Sequence, residues 1–393
     1  MIFLSSYTFL FYASMACIAP FIPLYFQDKG LSPTEIGLVL TAGPFISIIA
    51  QPLWGYISDK RQTVKEVLLF IMVLALFTSI GVFSSGSFYH IWFFMLLFMF
   101  FMTPIQPLSD SLIIAYAQKR GLNYGSIRLW GSVGFSLTAL ALGIALGSWG
   151  ISYLGLMYGL LLTLTMMTAL GLEDSNNRQA KINRRELTKL FGNSTLLWFL
   201  ILTLIVSIPA RINESMFSIF MNSLGATKME IGAASLVSAM SEVPVFLCMS
   251  FIFSRFSELS MFVLAAFIYT IRWLLFSIVD RPTTLILLQM SQSLTFTLFF
   301  AASLRYVTRV VPQELQSTGT AVLTATFLGL AGIIGNSLGG YLMDQFGPRT
   351  TYQLSAFITF IGTVLAFFTY IHTRKTHSSA KKAESFISKD GII

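Results

Sequence analysis

Long apolar runs separated by short polar breaks dominate the chain from one end to the other. A helix needs about 20 mostly apolar residues to cross a bilayer core of about 30 Å, and each of these runs is close to that length. The runs are unbroken, whereas a transmembrane β-strand reads as about ten residues of alternating character. We therefore predict twelve transmembrane helices, near residues 3–26, 35–58, 67–83, 90–116, 124–148, 151–172, 196–221, 229–254, 261–279, 283–307, 316–343 and 351–371.

The composition also indicates that the outer surface of the protein contacts lipid. Only 11% of the 393 residues are charged and 55% are hydrophobic, whereas a soluble domain carries about 25% charged residues. The net charge of +8 does not indicate nucleic acid, because the basic residues lie in loops and not on one soluble face. Cys17 and Cys248 fall in separate apolar runs, so we expect free thiols.

The chain divides into two halves of six helices. The longest polar stretch, Glu173 to Gly192, separates them. We predict an N-terminal bundle over 1–172, a linker over 173–194, a C-terminal bundle over 195–372 and a basic tail over 373–393. The first run lacks a basic leader and a small-residue cleavage site, so we expect it to be retained as the first span.

An internal repeat favours two related halves. The segment GLSPTEIG, residues 30–37, enters the second span, and GATKMEIG, residues 225–232, enters the eighth, at an offset of 195 residues. Many transporters place their site between such repeats. Independent convergence on one capping pattern is the alternative.

The distribution of Lys and Arg predicts the orientation, because cytoplasmic loops are enriched in them. Of the 25 basic residues, 18 lie on the side of the termini, the linker and the tail, four lie on the other side and three lie inside spans. We therefore expect a multi-pass protein of the cell membrane with both termini in the cytoplasm.

Ionisable residues inside spans are candidates for a functional site, since each costs about 2.5 to 3.5 kcal/mol to insert. Asp110 and Arg128 each lie nine residues from Lys119, at the hairpin between the fourth and fifth spans. With a rise of about 1.5 Å per residue they reach similar depth. The sequence predicts a facing pair, which either lines a cavity or only pins the two helices together.

The second half supplies further candidates. Arg211 and Glu214 are three residues apart and share a helix face, so they either neutralise each other or serve a site. Glu242 has no cation nearby on its own helix, and a low-dielectric setting favours the neutral, protonated acid. It is either a proton carrier or a carboxyl group hydrogen-bonded across helices.

No catalytic constellation stands out in the sequence. The three histidines lie at span ends or in the tail, and we find no metal-ligand cluster, phosphate-binding glycine loop or nucleophile elbow. We expect no enzyme activity, no cofactor and no metal.

Two segments resemble the major facilitator superfamily, and more narrowly its branch of lactose and phenylpropionate permeases. The second span ends in QPLWGYISDK, residues 51–60, which is similar to the cytoplasmic signature of that superfamily. The resemblance implies a latch between the halves formed by Gly55, Asp59 and Lys60. The later glycine and arginine of the signature are Gln62 and Thr63 here.

The fifth span begins YGSIRLWGSVGF, residues 124–135, and is similar to the permease stretch that binds substrate. The resemblance implies that Arg128 binds the solute, that Phe135 stacks on it, and that Asp110 pairs with Arg128. It also implies a binding and coupling role for Glu242, and proton coupling for Arg272 and Glu214.

The tenth and eleventh spans depart from the lactose permease. The tenth-span His and Glu of that permease become Gln292 and Thr295, and its eleventh-span Lys becomes an apolar position near Leu328. The proton route of that permease is therefore not carried over as a whole.

These features together favour a secondary transporter, acting as a monomer by alternating access, that moves a small organic solute with protons. An aromatic acid, a sugar or a nucleoside fits the candidate residues. Proton-driven efflux of drugs or metabolites is an alternative within transport. A sensor or scaffold that keeps the fold without transporting is the alternative from another class.

Overall fold

The structure is a computed structural model, and it describes residues 2–122, 124–174, 190 and 192–390, with side chains as far as residue 374 except at 2 and 250. The described residues form helices joined by short turns. We label the first ten α1 Ile2–Asp28, α2 Pro33–Arg61, α3 Val64–Ser84, α4 Phe88–Arg120, α5 Tyr124–Trp149, α6 Ile151–Leu170, α7 Ser194–Ser223, α8 Lys228–Arg255, α9 Glu258–Ile278 and α10 Pro282–Val310.

The remaining apolar stretch, Gln313–Arg374, is 62 residues long, far longer than the roughly 20 residues that one span needs. It is interrupted at Gly347, whose φ of 75° and ψ of 174° are not helical. Glycine reaches positive φ without steric penalty, and Pro348 then restarts the helix. The break gives α11, residues 313–346, and α12, residues 348–390. The prediction of twelve spans in two halves is confirmed.

Three helices contain irregular turns that the hydrophobic pattern did not predict, and in α11 the irregular turn is a π-helical segment at Ala325–Leu330. The fourth span, expected as one run over 90–116, consists of Phe88–Met102 and Ile105–Arg120 with a break at Pro104. Proline lacks the N–H that would continue the backbone ladder. Within α10, a 3₁₀ turn at Gln289–Ser291 precedes a π-helical turn at Ser293–Thr297. Such turns are frequent at functional sites.

The repeated segments form the same local structure in both halves. The hydroxyl of Ser32 accepts from the N–H of Glu35 at 3.3 Å, and the Glu35 carboxylate accepts from the N–H of Ser32 at 2.8 Å. Thr227 and Glu230 repeat this arrangement at 3.2 and 2.8 Å. A capping box therefore starts α2 and α8.

The two halves meet at the end of the molecule opposite to both termini. There the hydroxyl of Thr34 donates to Asp344 at 2.6 Å, and the amide of Asn222 donates to Gln27 at 3.0 Å. At the other end, Asp59 forms no ion pair among the described residues, and Lys60 is exposed. The described residues thus join the two halves at the end opposite to the termini, and the latch at Gly55, Asp59 and Lys60 stays a prediction.

The linker predicted over 173–194 falls mostly outside the described residues, which omit 175–189 and 191. Its first residues are tied to the N-terminal half. Glu173 accepts from Lys119 at 2.9 Å and from Arg120 at 2.6 Å, and these hydrogen bonds hold the pKa of its carboxyl group below the usual value. Asp174 accepts from the first N–H groups of α3, at Val64 and Lys65, both at 3.0 Å.

Candidate functional site: a polar cavity between the halves

A cavity of about 350 Å³ lies between the two halves, near the middle of the helices. This volume is in the range of small-molecule sites, about 300 to 1,000 Å³. A second chamber of about 180 Å³ adjoins it and shares Ala19, Arg211 and Glu214. The aromatic and polar residues that line the larger cavity are Tyr12, Arg128, Ser132, Phe135, Asn213, Glu214, Phe217, Ser218, Ser235, Ser238, Glu242, Tyr269, Trp273, Gln289, Gln292 and Phe296, together with Arg211.

Arg128 and Phe135, to which the family resemblance assigns contacts with the solute, both line this cavity. The guanidinium of Arg128 lies 4.0 Å from the ring centroid of Tyr12 in α1, a cation–π contact. Gly131 makes room for it, since a Cβ there would lie 2.5 Å from the Tyr12 ring and 2.9 Å from Arg128 Nη1. The glycine next to the arginine therefore allows α1 to place an aromatic ring under the charge.

The expected ion pair between Asp110 and Arg128 is not formed. Asp110 accepts a hydrogen bond from the hydroxyl of Tyr124 at 3.1 Å and does not line the cavity. The two charges attract each other only at longer range. Two residues at equal depth in a hairpin can still point in different directions, because each helix can rotate about its own axis. The guanidinium of Arg128 points toward Tyr12.

Arg211 and Glu214 do form an ion pair along α7. The guanidinium also lies 4.5 Å from the ring centroid of Phe327, and Gly335 leaves space for the arginine stem. The Arg211 side chain is only 13% exposed, whereas that of Glu214 is 59% exposed. Arg211 is thus held in place, and the carboxylate of Glu214 faces the cavity.

Glu242 lies on α8 and lines the cavity. The sequence showed no cation on its own helix, but other helices supply two. The charges of Arg128 and Arg272 both act on its carboxyl group, and Gln292 lines the same cavity. Glu242 therefore lies where an arginine of each half can influence it.

Arg272 is 2% exposed, although it is charged. Its Nη1 donates to Gln292 Oε1 at 2.6 Å and to Thr295 Oγ1 at 2.8 Å, and its Nη2 donates to Gln289 Oε1 at 2.5 Å. It has no carboxylate partner among the described residues. Two of the three positions that depart from the lactose permease, Gln292 and Thr295, are thus partners of this buried arginine.

Several cavity residues were not singled out by the sequence: Tyr12, Asn213, Tyr269, Trp273, Gln289 and Phe296. Single aromatic residues in apolar runs look like ordinary core residues, so no signal distinguished Tyr12 or Trp273. Gln289 and Gln292 could have been recognised from the sequence, because two amide side chains three residues apart share one face of an apolar helix. Trp130, which belongs to the fifth-span segment that resembles the permeases, is 45% exposed and does not line the cavity.

Comparisons with known proteins agree with this architecture. A model described as the MFS_1 like family, where MFS denotes the major facilitator superfamily, matches residues 1–354. A maltose permease of Geobacillus stearothermophilus is 29% identical, over 91% of each chain. A probable 3-phenylpropionic acid transporter of Escherichia coli K12 is 24% identical, over 86% of this chain and 90% of that protein. The crystal structure of the nucleoside transporter NupG has the same fold, with a TM-score of 0.85 at 17% identity over 94% of this chain and 98% of that one.

Proposed function

Because the chain belongs to the MFS_1-like family and is a multi-pass secondary transporter of small solutes, we propose that it imports a neutral, hydroxyl-rich solute together with protons. An oligosaccharide is the first candidate and a nucleoside the second. The observation that carries this proposal is the balance of charge around the cavity.

Four charged side chains line the cavity, and their formal charges cancel. The two cations are Arg128 and Arg211, and the two carboxylates are Glu214 and Glu242. An anionic solute would leave an unbalanced charge in a low-dielectric site, which is costly. A neutral solute leaves the net charge of the cavity at zero while Glu242 is ionised. A proton on Glu242 then raises that net charge by one.

The uncharged part of the lining suits a sugar or a nucleoside. Serine, asparagine and glutamine side chains line the cavity beside the rings of Phe135, Phe217 and Phe296. Hydroxyls and amides can both donate and accept, as recognition of an alcohol requires. Aromatic faces provide apolar surface for the C–H face of a sugar ring or for a base. The similarity to a maltose permease supports the sugar over the nucleoside.

A cavity between two halves that are joined at one end supports transport by alternating access. The excess of basic residues on the side of the termini supports a cytoplasmic location for that side. The closed end then faces outward. The cavity is complete within one chain, which supports a monomer as the working unit.

Transport into proteoliposomes tests this function. We expect maltose or uridine to accumulate when the vesicle exterior is made acidic, and to equilibrate without accumulation when the gradient is collapsed. Radiolabelled 3-phenylpropionate serves as the anionic comparison and should not accumulate. Accumulation of 3-phenylpropionate in place of the neutral solutes would contradict the charge-balance proposal. Uptake only in the opposite direction would indicate efflux, and saturable binding without flux would indicate a sensor.

A further inference from the structure

The outer face of α12 carries two rows of residues that change from apolar to basic where the helix leaves its span. One row contains Phe360, Phe367, Arg374 and Lys381, and the other contains Ile361, Phe368, Lys375, Lys382 and Lys389. Successive members of a row are seven residues apart, and an α-helix drifts by only about 20° over that spacing. Because α12 continues as one helix from Pro348 to Asp390, both rows stay on one half of its surface. We call them the outer rows.

The apolar part of the outer rows faces lipid. Phe360, Phe367 and Phe368 are between 48% and 64% exposed, and they line neither of the two cavities described above. The opposite side of α12 packs on the protein, since the hydroxyl oxygen of Thr363 lies 3.3 Å from that of Thr270 in α9. Exposed phenylalanines on the outside of a spanning helix contact the hydrocarbon of the bilayer. The basic part of the rows therefore leaves the membrane on its lipid side.

Trp198 in α7 marks the level of the bilayer surface. Its indole Nε1 donates to the hydroxyl of Thr369 at 2.9 Å, and tryptophan is enriched at membrane interfaces because its ring has an apolar body and a polar N–H. Arg374 comes later along α12 by a rise of about 7.5 Å, and the polar layer on each side of a bilayer is about 5 to 7.5 Å thick. Arg374 and Lys375 are thus at the level of the lipid headgroups. The next members of the rows follow about 10 Å further out, which is about one Debye length at 0.1 M salt.

The two acidic residues of the tail do not fall in the outer rows. Glu384 shares its row with Thr363, on the side of α12 that packs on α9 within the span. Asp390 is the last residue of the helix. Like charges on one side of a helix repel each other, and an anionic surface next to them offsets this repulsion.

We propose that the basic part of the outer rows binds the phosphate groups of anionic lipids in the leaflet on the side of the termini. Clusters of about four to eight basic residues directly after a spanning helix attract anionic lipids, and the outer rows contain five. This surface lies outside the cavity, so the proposal depends neither on the identity of the solute nor on proton coupling.

Thiol accessibility in lipid nanodiscs tests the proposal with the full chain. Ser385→Cys places a thiol between the two rows, since residue 385 follows Lys381 by four positions and Lys382 by three. Cys248→Ser removes the exposed native cysteine. Labelling by an uncharged, hydrophilic thiol reagent is compared in discs of phosphatidylcholine alone and in discs that also contain phosphatidylglycerol. We expect labelling to be at least about tenfold slower with phosphatidylglycerol, because each basic residue near an anionic surface strengthens binding about fivefold. The difference should shrink at high salt.

Two further variants separate the position of the charges from their number. Lys381→Gln with Lys382→Gln removes two cations from the outer rows. The second variant adds Ala380→Lys and Ala383→Lys to these changes, which restores the net charge of the tail on the other side of α12. We expect fast labelling of both variants in either lipid. Ser87→Cys, in the exposed turn between α3 and α4, is the control reporter and should be labelled at the same rate in both lipids.

Three outcomes would overturn the proposal. The first is an equal labelling rate of Ser385→Cys in the two kinds of disc, which would leave the outer rows without a lipid partner. The second is slow labelling of the variant with relocated lysines when phosphatidylglycerol is present, since net charge alone would then hold the tail at the membrane. The third is slow labelling in phosphatidylcholine discs on addition of inorganic phosphate at constant ionic strength, which would assign the rows to a free anion.

Discussion

Gly37 in α2 lies directly against Gly340 in α11, with no side chain between the two backbones. A Cβ on Gly37 would meet the carbonyl oxygen of Asn336 and lie 3.0 Å from Gly340 Cα. On the other side of the same closed end, Gly232 of α8 lies equally close to the carbonyl of Ala139 in α5. In each half, the glycine of the repeated segment therefore lets its helix pack closely against a helix of the other half.

Gly37→Leu should prevent this end from closing. The added side chain meets backbone atoms, which cannot move aside as a flexible side chain can. We expect uptake to fall at least about tenfold while expression persists. Ser337→Cys is a suitable reporter, because Ser337 hydrogen-bonds to Thr41 across the halves at 3.0 Å. Its labelling by an impermeant thiol reagent in whole cells should rise.

Gly147→Leu is the matched control. Gly147 lies in α5 near the same end of the molecule, and a Cβ there would have no neighbour within 4 Å. Uptake and reporter labelling should remain close to those of the unmodified protein. Normal uptake by Gly37→Leu would contradict the conclusion that the contact between Gly37 and Gly340 is part of the transport cycle.

The fold was well predicted because the bilayer requires long apolar helices, and such runs are visible in the sequence. Each span must satisfy its own backbone, so apolar length alone identifies a helix. The repeat at residues 30–37 and 225–232 was visible because both capping boxes use the same residue types. The break within the fourth span was missed, since Pro104 lies inside an apolar run and hydropathy carries no information on backbone geometry.

Apart from Phe135, the sequence named residues of the candidate site only where a charge marked them. Arg128 and Glu242 were found because charge is rare in a span. The partners of these charges depend on helix rotation and on contacts between helices, which spacing along one helix does not determine. Asp110 thus reaches Tyr124 and not Arg128. Arg272 likewise donates to amide and hydroxyl oxygens of α10 that its place in the sequence did not indicate.

Arg128→Lys should impair transport severely. A lysine ammonium is a compact point charge and does not reproduce the planar guanidinium that lies over Tyr12. We expect the KM to rise at least about tenfold at normal expression. Arg120→Lys is the control, because Arg120 also lies over a tyrosine ring, at 4.7 Å from the centroid of Tyr116, but outside the cavity. Near-normal uptake by Arg128→Lys would limit Arg128 to a structural role.

The orientation can be tested independently of transport. A cysteine placed in the linker, for example by Ser175→Cys, should be shielded from an impermeant thiol reagent in whole cells and labelled after permeabilisation. Ser87→Cys, in the exposed turn between α3 and α4, should be labelled in whole cells. The reason is the excess of basic residues on the side of the linker. Labelling of the linker from outside would reverse the proposed topology.

Glu242→Gln should separate solute exchange from proton-driven accumulation. Glu242 lines the cavity and is influenced by an arginine from each half, so a proton on its carboxyl group changes the charge that the solute meets. Glutamine keeps the shape of the protonated acid and cannot release a proton. We therefore expect the variant to fold, to bind and exchange solute across the vesicle membrane, and to lose accumulation driven by a pH gradient.

The competing carboxylates provide the controls for this prediction. Glu214 is already paired with Arg211 and is 59% exposed, and Asp110 accepts from Tyr124 outside the cavity. Glu214→Gln removes the partner of a held arginine, so it should raise KM and leave accumulation coupled to the pH gradient. Asp110→Asn keeps the partner of Tyr124 and should likewise remain coupled. Accumulation by Glu242→Gln with unchanged pH dependence would assign the proton to another group, and loss of accumulation in Glu214→Gln or Asp110→Asn would identify which one.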